Sequence, residues 1–597
     1  MPLYPQVDSQ YTMQVVTDTF GGYNHQLKVP DGEWYDTKNL TSDYAPMLAN
    51  RKLRGNLKKS AVAVLEKDAL AYVSENGTLY YNFLATNLTG LLPGEKQMVS
   101  MGAYLIIFPD KMWYNTKDGS YGSMEATFTG SASYQMCRYD GTSVSNPTVD
   151  AREPANPSNG DYWIDTSSDV HVLKQWSEAQ GSWVSIETVY IKLTFSTQGS
   201  LPSVFSENDG VSISGSSAED VNGSKVIYAV GGGTNENDWI MVTGLLSTVP
   251  SSESLTITRS VPALDYVCEC QNRLWGCYYG LVDGETVNEI YCCALGDFKN
   301  WQQYMGLSTD SWTGSVGSDG QWTGAVNYLG YPTFFKENRI HRVTVSTEGA
   351  HRIDETVCRG VQKGSAKSLV VVNETLYYKS RSDVCAYQGG FPTGVSTALG
   401  TVMYHDAAAG AVGSKYYISM LDEEGEAHLF VYDIARGIWL HEDDLRVTQF
   451  ARVDNELFAV SGNNLYTMLG SLQGVAQAET EDSMAWEAVS GIQYYEYPSN
   501  QIRKSLGVSE LQNVRASRYN IRMKMADDSS LEVFLMYDSN GTWVSAGSVT
   551  APTGGIDSFL FPIRPRRCDH FQIKLAGNGD IRIYSIAKIL EVGSDYR

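Results

Sequence analysis

The sequence predicts an all-β protein whose body is a β-propeller. The main observation is a recurring phrase in which a short apolar strand, a polar turn and an aromatic-rich strand follow one another. It occurs at residues 69–81, 266–278, 369–378 and 450–459. Each copy has the pattern of a β-hairpin, because two strand-forming runs are joined by a turn containing Asn, Asp or Gly. Hairpins repeated every few tens of residues are typical of propeller blades.

Composition supports the same fold class. The chain of 597 residues contains 38 Tyr, 13 Trp and 55 Gly, and only 19% of its residues are charged. Aromatic residues favour strands and glycines favour tight turns, whereas the sequence shows no convincing amphipathic helix longer than about three turns. A chain of this length has room for about three or four domains with sizeable cores.

Turn and strand patterns divide the chain into five segments. The first contains two adjacent glycines and a Pro-Asp-Gly turn, which predict an irregular, extended N-terminal arm. Blade hairpins follow, and a stretch rich in Ser, Gly, Asn and Thr with two small β units interrupts them. The hairpins then resume to give about five to seven blades, and alternating strands near the C-terminus predict a β-sandwich. The segments are 1–58 (arm), 59–124 (first propeller blades), 125–255 (inserted small β modules), 256–478 (remaining propeller blades) and 479–597 (C-terminal β-sandwich).

The formal net charge of −23 is concentrated in the middle of the chain. Residues 1–60 and 481–597 are each close to neutral, so the excess of acidic residues lies between them. Proteins that coat or read nucleic acid need basic stripes, and this distribution therefore argues against both roles. An acidic surface is compatible with one that must not stick to DNA, and it equally suits simple solubility.

The sequence carries no motif of a familiar catalytic or metal centre. The eight histidines show no i+2 or i+4 pairing, and GxSxG, Walker and Rossmann motifs are missing from the sequence. The nine cysteines lack CxxC spacing and fit buried thiols that act as small hydrophobic residues. A propeller glycosidase would need paired carboxylates, and Asp297, Asp310 and Asp319 are candidates that any acidic propeller would offer. We therefore predict no catalytic residues, no metal site, no cofactor and no enzymatic activity.

Two clusters of residues are candidates for contacts with partners. In the insertion, three tryptophans lie close in sequence, and they would either stack against sugar rings or form the core of a small β unit. Near the C-terminus, a basic cluster would either grip the carboxylates or the phosphate backbone of a partner, or cover the sandwich as a solvated strand entry. The two clusters are Trp163, Trp176 and Trp183, and Arg564, Arg566 and Arg567.

The order of short motifs resembles that of bacteriophage tail proteins. The units at 160–166 and 209–215 are similar to small modules of phage structural proteins, and the ending at 567–580 is similar to their closing β-sandwich. The opening of the chain is similar to the N-terminal part of such proteins in its series Phe20-Gly-Gly-Tyr-Asn24, Pro30-Asp-Gly-Glu33, Asn39-Leu40, Pro46-Met-Leu48, Arg51 and Arg54-Gly55.

Within that class, an arm, a propeller and a C-terminal sandwich resemble the tail nozzle, or DNA-stabilisation hub, of short-tailed phages. The resemblance implies a closed homo-oligomeric ring, of hexameric symmetry, that contacts portal or adaptor proteins and tail fibres or other tail proteins. Its channel would retain genomic DNA and let it pass without sequence-specific binding. The protein would reside in the virion tail after synthesis in the cytoplasm of the bacterial host. The apolar run at 103–108 is too short to span a membrane, and we expect no membrane segment.

Two other functions compete with the nozzle. The first is a tail-associated receptor- or glycan-binding protein that acts through the insertion at 125–255. The second is a propeller glycosidase, which requires convergent carboxylates in a funnel. We rank the nozzle first, the glycan-binding protein second and the glycosidase third.

Overall fold

Seven antiparallel blades of four strands each form a closed ring in the described part of the chain. Five are separate sheets, the sixth belongs to an eleven-stranded sheet, and the seventh carries a short fifth strand at Glu479–Thr480. The computed structural model describes residues 12–345, 350–494, 514–566 and 568–592. In this part of the chain, helix is limited to three single turns at Glu219–Val221, Ala366–Ser368 and Thr397–Leu399. None of the described helices is long and apolar enough to cross a lipid bilayer. The predicted all-β propeller class is confirmed.

Six short strands precede the first complete blade. They are β1 (Thr12–Thr17), β2 (Gly22–Tyr23), β3 (Glu33–Lys38), β4 (Leu40–Thr41), β5 (Leu48–Asn50) and β6 (Gly55–Ser60).

Blades 1 and 2 follow directly. Blade 1 consists of β7 (Ala63–Lys67), β8 (Ala69–Val73), β9 (Leu79–Tyr81) and β10 (Leu84–Ala85). Blade 2 consists of β11 (Gln97–Met101), β12 (Tyr104–Phe108), β13 (Met112–Asn115) and β14 (Tyr121–Ser123).

The insertion leaves the propeller after blade 2 and returns to it at blade 3. Its strands are β15 (Ala126–Cys137), β16 (Thr148–Asp150), β17 (Tyr162–Asp165), β18 (Val172–Ser177), β19 (Ser182–Ser185), β20 (Tyr190–Phe195), β21 (Gly210–Ser214), β22 (Gly223–Gly233), β23 (Glu236–Thr243) and β24 (Glu253–Arg259). Strands β15, β20, β23, β22, β21 and β24 close into a barrel, and β16 to β19 form a separate four-stranded sheet.

Blades 3 to 7 complete the ring. Blade 3 consists of β25 (Tyr266–Glu269), β26 (Leu274–Val282), β27 (Glu285–Cys292) and β28 (Trp312–Ser315). Blade 4 consists of β29 (Gly324–Tyr328), β30 (Tyr331–Lys336), β31 (Arg339–Val345) and β32 (His351–Val357). Blade 5 consists of β33 (Val370–Val372), β34 (Thr375–Lys379), β35 (Val384–Tyr387) and β36 (Thr393–Gly394). Blade 6 consists of β37 (His405–Val412), β38 (Lys415–Leu421), β39 (Ala427–Asp433) and β40 (Ile438–Asp443). Blade 7 consists of β41 (Gln449–Val453), β42 (Glu456–Ser461), β43 (Asn464–Thr467) and the N-terminal strand β6.

Strand β6 closes the ring. It pairs antiparallel with β43, with Ser60 opposite Asn464 and Gly55 opposite Thr467. The outer strand of the last blade therefore comes from the start of the chain, so the ring is fastened by backbone hydrogen bonds between distant segments.

A hydrophobic cluster fills each interface between adjacent blades. Between blades 7 and 1, for example, Leu57, Tyr72 and Phe458 are each no more than 1% exposed. Since blades stack face to face, their central strands are buried on both sides and read as continuous apolar runs, such as Tyr104–Phe108 in β12. Five cysteines line the core of blade 3, which confirms their prediction as buried hydrophobic residues; they are Cys268, Cys270, Cys277, Cys292 and Cys293.

The last part of the chain forms a β-sandwich. Ahead of it, β44 (Glu479–Thr480) pairs with β6 at the edge of blade 7. The strands of the sandwich are β45 (Ala485–Ser490), β46 (Gln493–Tyr494), β47 (Val514–Met525), β48 (Ser530–Tyr537), β49 (Trp543–Thr550), β50 (Ile556–Ile563), β51 (His570–Asn578) and β52 (Ile581–Val592). Strand β48 alternates strictly between buried and partly exposed residues, as a strand with one face on a core should. One sheet contains β1, β4, β5, β52, β47 and β50; the other contains β3, β45, β51, β48 and β49 and continues through β2 into blade 6.

The N-terminal segment differs from the expected irregular arm over its described part. Its strands are members of the two sandwich sheets and of blade 7, and the side chains of Phe20 and Trp34 lie in the sandwich core, 6% and 4% exposed. The turn residues on which the expectation rested do form loops, but short strands between them pair with the C-terminal half. Such pairing depends on partners more than 400 residues away, which local sequence patterns do not reveal. Residues 1–11 lie outside the described part.

A buried ionic cluster holds the joint between the N-terminal segment, blade 6 and the sandwich. Arg54 donates to Glu442 (2.6 Å) and to Asp443 (2.5 Å), and Arg51 donates to Glu481 (2.8 Å). Both guanidinium groups are about one-twentieth exposed, at 5% and 6%. The arginines of the N-terminal motif thus serve the internal structure of this chain.

Candidate functional site

The small sheet β16 to β19 presents a tryptophan-rich outer face. Side chains alternate between the two faces of a strand. Ile164 and Leu173, at most 1% exposed, point to one face and pack into the core of the barrel. The opposite face carries Trp163 on β17, Trp176 on β18 and Trp183 on β19, with Trp176 directly opposite Trp183 in the strand register. The barrel therefore serves as the base, and the tryptophans face away from it.

The three indole rings form one packed row. The ring of Trp183 lies 5.5 Å from that of Trp163 and 5.5 Å from that of Trp176, at interplanar angles of 67° and 65°. Trp163 is 5% exposed and its indole N–H donates to the carbonyl of Asp150 (2.9 Å). The Nζ of Lys174 lies 4.7 Å from the centre of the Trp163 ring and 2.8 Å from Asp165.

This packing corrects one predicted contact residue. Trp163 is a core residue of the small sheet, because it is enclosed on all sides and cannot touch a ligand. Trp176 and Trp183 are half-buried and keep part of their rings accessible. The hydrogen bond from Lys174 lowers the pKa of Asp165 to about 2, so this carboxylate is charged at neutral pH and keeps the lysine over the buried ring.

A groove of about 600 Å³ opens beside Trp176. The aromatic residues among its lining are Trp176, Tyr139 and Tyr190, and Tyr139 is 65% exposed; Trp176 borders the groove from the outer face of the small sheet. The hydrogen-bonding groups along the groove come from Arg138, Gln175, Ser177, Gln180, Ser185 and Thr188. The sequence analysis missed these residues, because they belong to three separate strands and loops and become neighbours only where the small sheet meets the barrel.

The charge of the groove is close to neutral in an acidic domain. Arg138 and Glu187 are its charged lining residues, and the guanidinium of Arg138 donates to Gln175 (3.3 Å). The surrounding segment 125–255 contains sixteen acidic and five basic residues. Long-range electrostatics therefore disfavour anionic ligands and leave uncharged ones unaffected.

A second cavity, of about 730 Å³, lies at the axis of the propeller. It is lined by residues at or near the innermost strands of blades 2 to 7. Two of its three carboxylates contact basic side chains: Glu95 pairs with Lys367 (2.5 Å), and Asp406 contacts His405 (2.9 Å). Burial raises the pKa of the third, Asp265, which accepts a hydrogen bond from the backbone N–H of Tyr279. Among the lining residues, Asp265 is the best candidate for a proton donor.

The carboxylates proposed for a glycosidase do not converge on this cavity. Asp310 accepts hydrogen bonds from the backbone N–H groups of Met305 (2.5 Å) and Leu307 (3.0 Å), which makes it the organiser of a loop. Asp297 accepts from the N–H of Lys299 in a turn. Asp297, Asp310 and Asp319 are all missing from the residues that line the cavity at the propeller axis.

The predicted basic cluster is spread along one loop of the sandwich. Arg564 and Arg566 are exposed, and the guanidinium carbon of Arg566 lies 4.2 Å from the centre of the Tyr537 ring. Stacking on a tyrosine is a common way of holding an arginine at a surface. Arg567 lies outside the described residues. A role of this loop in subunit contacts stays a prediction.

Comparisons with known proteins give distant structural similarity only. No protein-family model and no curated protein matches the chain. Solved structures that match include AztD from Citrobacter koseri, with 8% identity, a TM-score of 0.25, and 86% of this chain and 99% of that chain covered. They also include an exo-β-1,3-galactanase from Phanerochaete chrysosporium (8% identity, TM-score 0.20, 54% and 94% covered) and the endosialidase of phage phi92 (9%, 0.19, 91% and 74%).

These matches correct the prediction that the chain is not an enzyme, since two of the three proteins are described as enzymes. At this level of similarity they assign no reaction to the chain. None of the three is described as a tail nozzle.

Proposed function

We propose that the protein binds an uncharged, hydroxyl-rich polysaccharide in the groove beside Trp176, as a component of a bacteriophage tail. The observation that carries the proposal is a groove of about 600 Å³ that combines the half-buried Trp176 and two tyrosines with mainly polar residues, and with Val184 and Ile186 as its aliphatic ones. The C–H face of a sugar ring packs against an aromatic ring, and its hydroxyl groups pair with amide and hydroxyl side chains.

Rigidity favours this site over an ordinary exposed tryptophan. The Trp176 ring is backed by Trp183, which is backed in turn by the buried Trp163. A side chain that is already held in place loses little conformational entropy when a ligand binds. The buried tryptophan thus acts by positioning the two rings above it.

The charge of the insertion narrows the class of ligand. An acidic surface repels phosphate and carboxylate groups over about 8 Å at physiological salt. The proposed ligand is therefore a neutral polysaccharide, not a polysialic acid or a phosphorylated core sugar.

Binding of the full chain to neutral bacterial polysaccharides, measured by calorimetry or on a glycan array, tests the proposal. Stacking that buries about 60 Å² of ring face at about 25 cal/mol per Å² contributes about 1.5 kcal/mol, or roughly tenfold in affinity. Trp176→Ala should therefore weaken binding about tenfold. Phe391→Ala is the matched control, because Phe391 is an aromatic residue of blade 5 that is 77% exposed and lies far along the chain from the groove.

An equal loss of affinity in Trp176→Ala and Phe391→Ala, or no loss of affinity in Trp176→Ala, would overturn the assignment of the groove as the binding site. Binding only to anionic polysaccharides would overturn the ligand class and leave the groove in place.

The nozzle role is a second proposal, and it rests on the sequence resemblance and on the acidic middle of the chain. It predicts a ring with a central pore when the purified chain, alone or with portal and adaptor proteins, is imaged by electron microscopy. A protein that stays monomeric in the presence of these partners would exclude this role and leave the polysaccharide-binding proposal untouched.

A further inference from the structure

Two histidines of blade 6 face each other at the joint with the sandwich. His428 lies on β39 and His441 on the neighbouring strand β40, and the Nδ1 of His428 is 3.4 Å from the Nε2 of His441. The Oδ1 of Asp444 is 3.7 Å from the same Nε2. These three atoms all lie within 4.8 Å of one another. Side chains that usually bind metals therefore converge on one point.

The outer nitrogen of each ring is held by a carboxylate. The Nε2 of His428 lies 3.0 Å from Asp422, and the Nδ1 of His441 lies 3.2 Å from Asp36. A neutral histidine that donates its N–H to a carboxylate presents a lone pair at its other nitrogen. If both outer nitrogens donate, two lone pairs face each other across 3.4 Å, and either a proton shared in an N–H···N hydrogen bond or a metal ion between them removes the repulsion. Carboxylates in this position are also typical partners of metal-binding histidines.

The spacing fits a tetrahedral ion. Two nitrogens that are each about 2.05 Å from a tetrahedral zinc ion lie about 3.3 Å apart. The nitrogens of His428 and His441 are 3.4 Å apart. The carboxylate of Asp444 is 62% exposed, so its side chain can adjust to form a bond to the ion.

Aromatic rings enclose the two histidines from the protein side. The ring of Phe430 lies 5.8 Å from that of His428 and 5.0 Å from that of His441, and Tyr404 packs edge-on against His428. The side chain of His441 is only 11% exposed. The remaining charged neighbour is Lys38, whose Nζ lies 3.3 Å from the other oxygen of Asp444. Three carboxylates against one lysine leave the surroundings negative, which favours a cation.

We propose that His428, His441 and Asp444 bind one divalent transition-metal ion of the zinc type. Two imidazole nitrogens and one carboxylate oxygen suit such an ion, whereas Mg²⁺ and Ca²⁺ prefer oxygen ligands alone. A fourth position faces solvent beside Asp444 and can take water. The ion links both outer strands of blade 6 to the loop after β40, and through Asp36 it reaches strand β3 of the sandwich sheet. Its role is to fasten the joint between propeller and sandwich.

Sequence motifs could not reveal this site. His428 and His441 are thirteen positions apart; His441 pairs with Phe430, and His428 lies two positions from Phe430 on the same strand, just beyond a shift of register. The prediction of no metal site rested on the lack of histidine pairs at i+2 or i+4. Two residues on neighbouring strands of a hairpin become neighbours in space even when they are much further apart in sequence.

Titration of the untagged, chelator-treated full chain with Zn²⁺ by calorimetry tests the proposal. One equivalent should bind, and His428→Gln and Asp444→Asn should each lower the affinity at least tenfold. Asp422→Asn should lower it about tenfold, because the ring of His428 loses the partner that orients it. Co²⁺ should give the intense visible absorption of a tetrahedral site in the parent chain and lose it in His428→Gln.

His405→Gln is the matched control, because His405 also contacts a carboxylate, at 2.9 Å, but has no second histidine beside it. The His405→Gln variant should bind Zn²⁺ with the affinity of the parent chain. Absence of stoichiometric binding, or equal affinity in His428→Gln and the parent chain, would overturn the proposal. Asp444→Asn changes an exposed side chain, so it decides the matter if the histidine variant fails to fold. The site is independent of the polysaccharide groove, and loss of one leaves the other intact.

Discussion

Replacing Arg54 with leucine should destabilise the joint between propeller and sandwich. Arg54 is 6% exposed and donates to Glu442, which is 7% exposed, and to Asp443, which is 16% exposed. Without it, the nearest remaining cation to Glu442 is Arg51, with its Nε at 3.9 Å. Removal of one partner from a buried ion pair costs about 3–5 kcal/mol when the remaining charge has no close partner. Arg51, which also lies 3.5 Å from Asp443, keeps part of the compensation and places the expected loss at the lower end of this range. We expect a loss of this size in the free energy of unfolding.

Urea unfolding followed by tryptophan fluorescence and by circular dichroism measures this loss. Large chains unfold in more than one step, so the two signals are analysed separately, and the first transition should carry the effect. Glu479→Gln is the matched control, because Glu479 pairs with Lys58 at 3.0 Å with both side chains well exposed. Exposed ion pairs contribute about 0–1 kcal/mol to the free energy of unfolding, so the control substitution should change it little.

A second substitution checks the reasoning. If the cost arises from the unpaired charge, adding Glu442→Gln to the Arg54→Leu variant should recover at least about 1 kcal/mol. A loss below about 1 kcal/mol in the single variant, or no recovery in the double one, would refute the argument from buried charge.

The same cluster predicts the response to acid. Burial alone would raise the pKa of Asp443, but the charge and hydrogen bond of Arg54 outweigh it and hold the pKa below its ordinary value. The pKa of Glu481 is lowered in the same way by Arg51. A carboxylate with a depressed folded-state pKa stabilises the protein fully above its unfolded value of about 4, and this stability is lost as the pH falls through the lower value. Arg54→Leu should therefore flatten the acid limb of the stability curve.

Two further predictions concern other parts of the fold. Burial lowers the pKa of His341 to about 4, although Glu355 opposes the shift. The unfolded chain then binds the extra proton below about pH 6.5, so stability falls as the pH drops from about 6.5 to 4 by at most about 3 kcal/mol. His341→Gln should flatten this limb in urea titrations, and an unchanged slope would contradict it. Gly210→Ala should destabilise the junction of barrel and blade 3 by about 1–3 kcal/mol, because a Cβ there collides with the backbone of Gln302. Gly233→Ala, whose Cβ meets nothing within 4 Å, should leave the free energy of unfolding unchanged in the same urea titrations, and equal effects of the two substitutions would rule out the steric explanation.

Sequence patterns determined those elements that depend on neighbouring residues. The hairpin phrases predicted the propeller, because the turn and its two strands are all contained in about ten residues. Period-two alternation predicted the sandwich strands such as β48, since one face is buried and the other is not. The density of tryptophans marked the small sheet of the insertion, although it did not separate the buried Trp163 from the accessible Trp176.

Tertiary structure alone decided what depends on distant pairing. The seventh blade is completed by the pairing of β6 with β43, and the N-terminal segment joins the sandwich because its apolar residues pack into a core built by the C-terminal half. The groove beside Trp176 and the facing pair of His428 and His441 arise where separate strands meet. Local patterns record only whether a residue prefers burial or a turn. Which residues then become neighbours depends on how whole sheets pack, and that is a property of the complete chain.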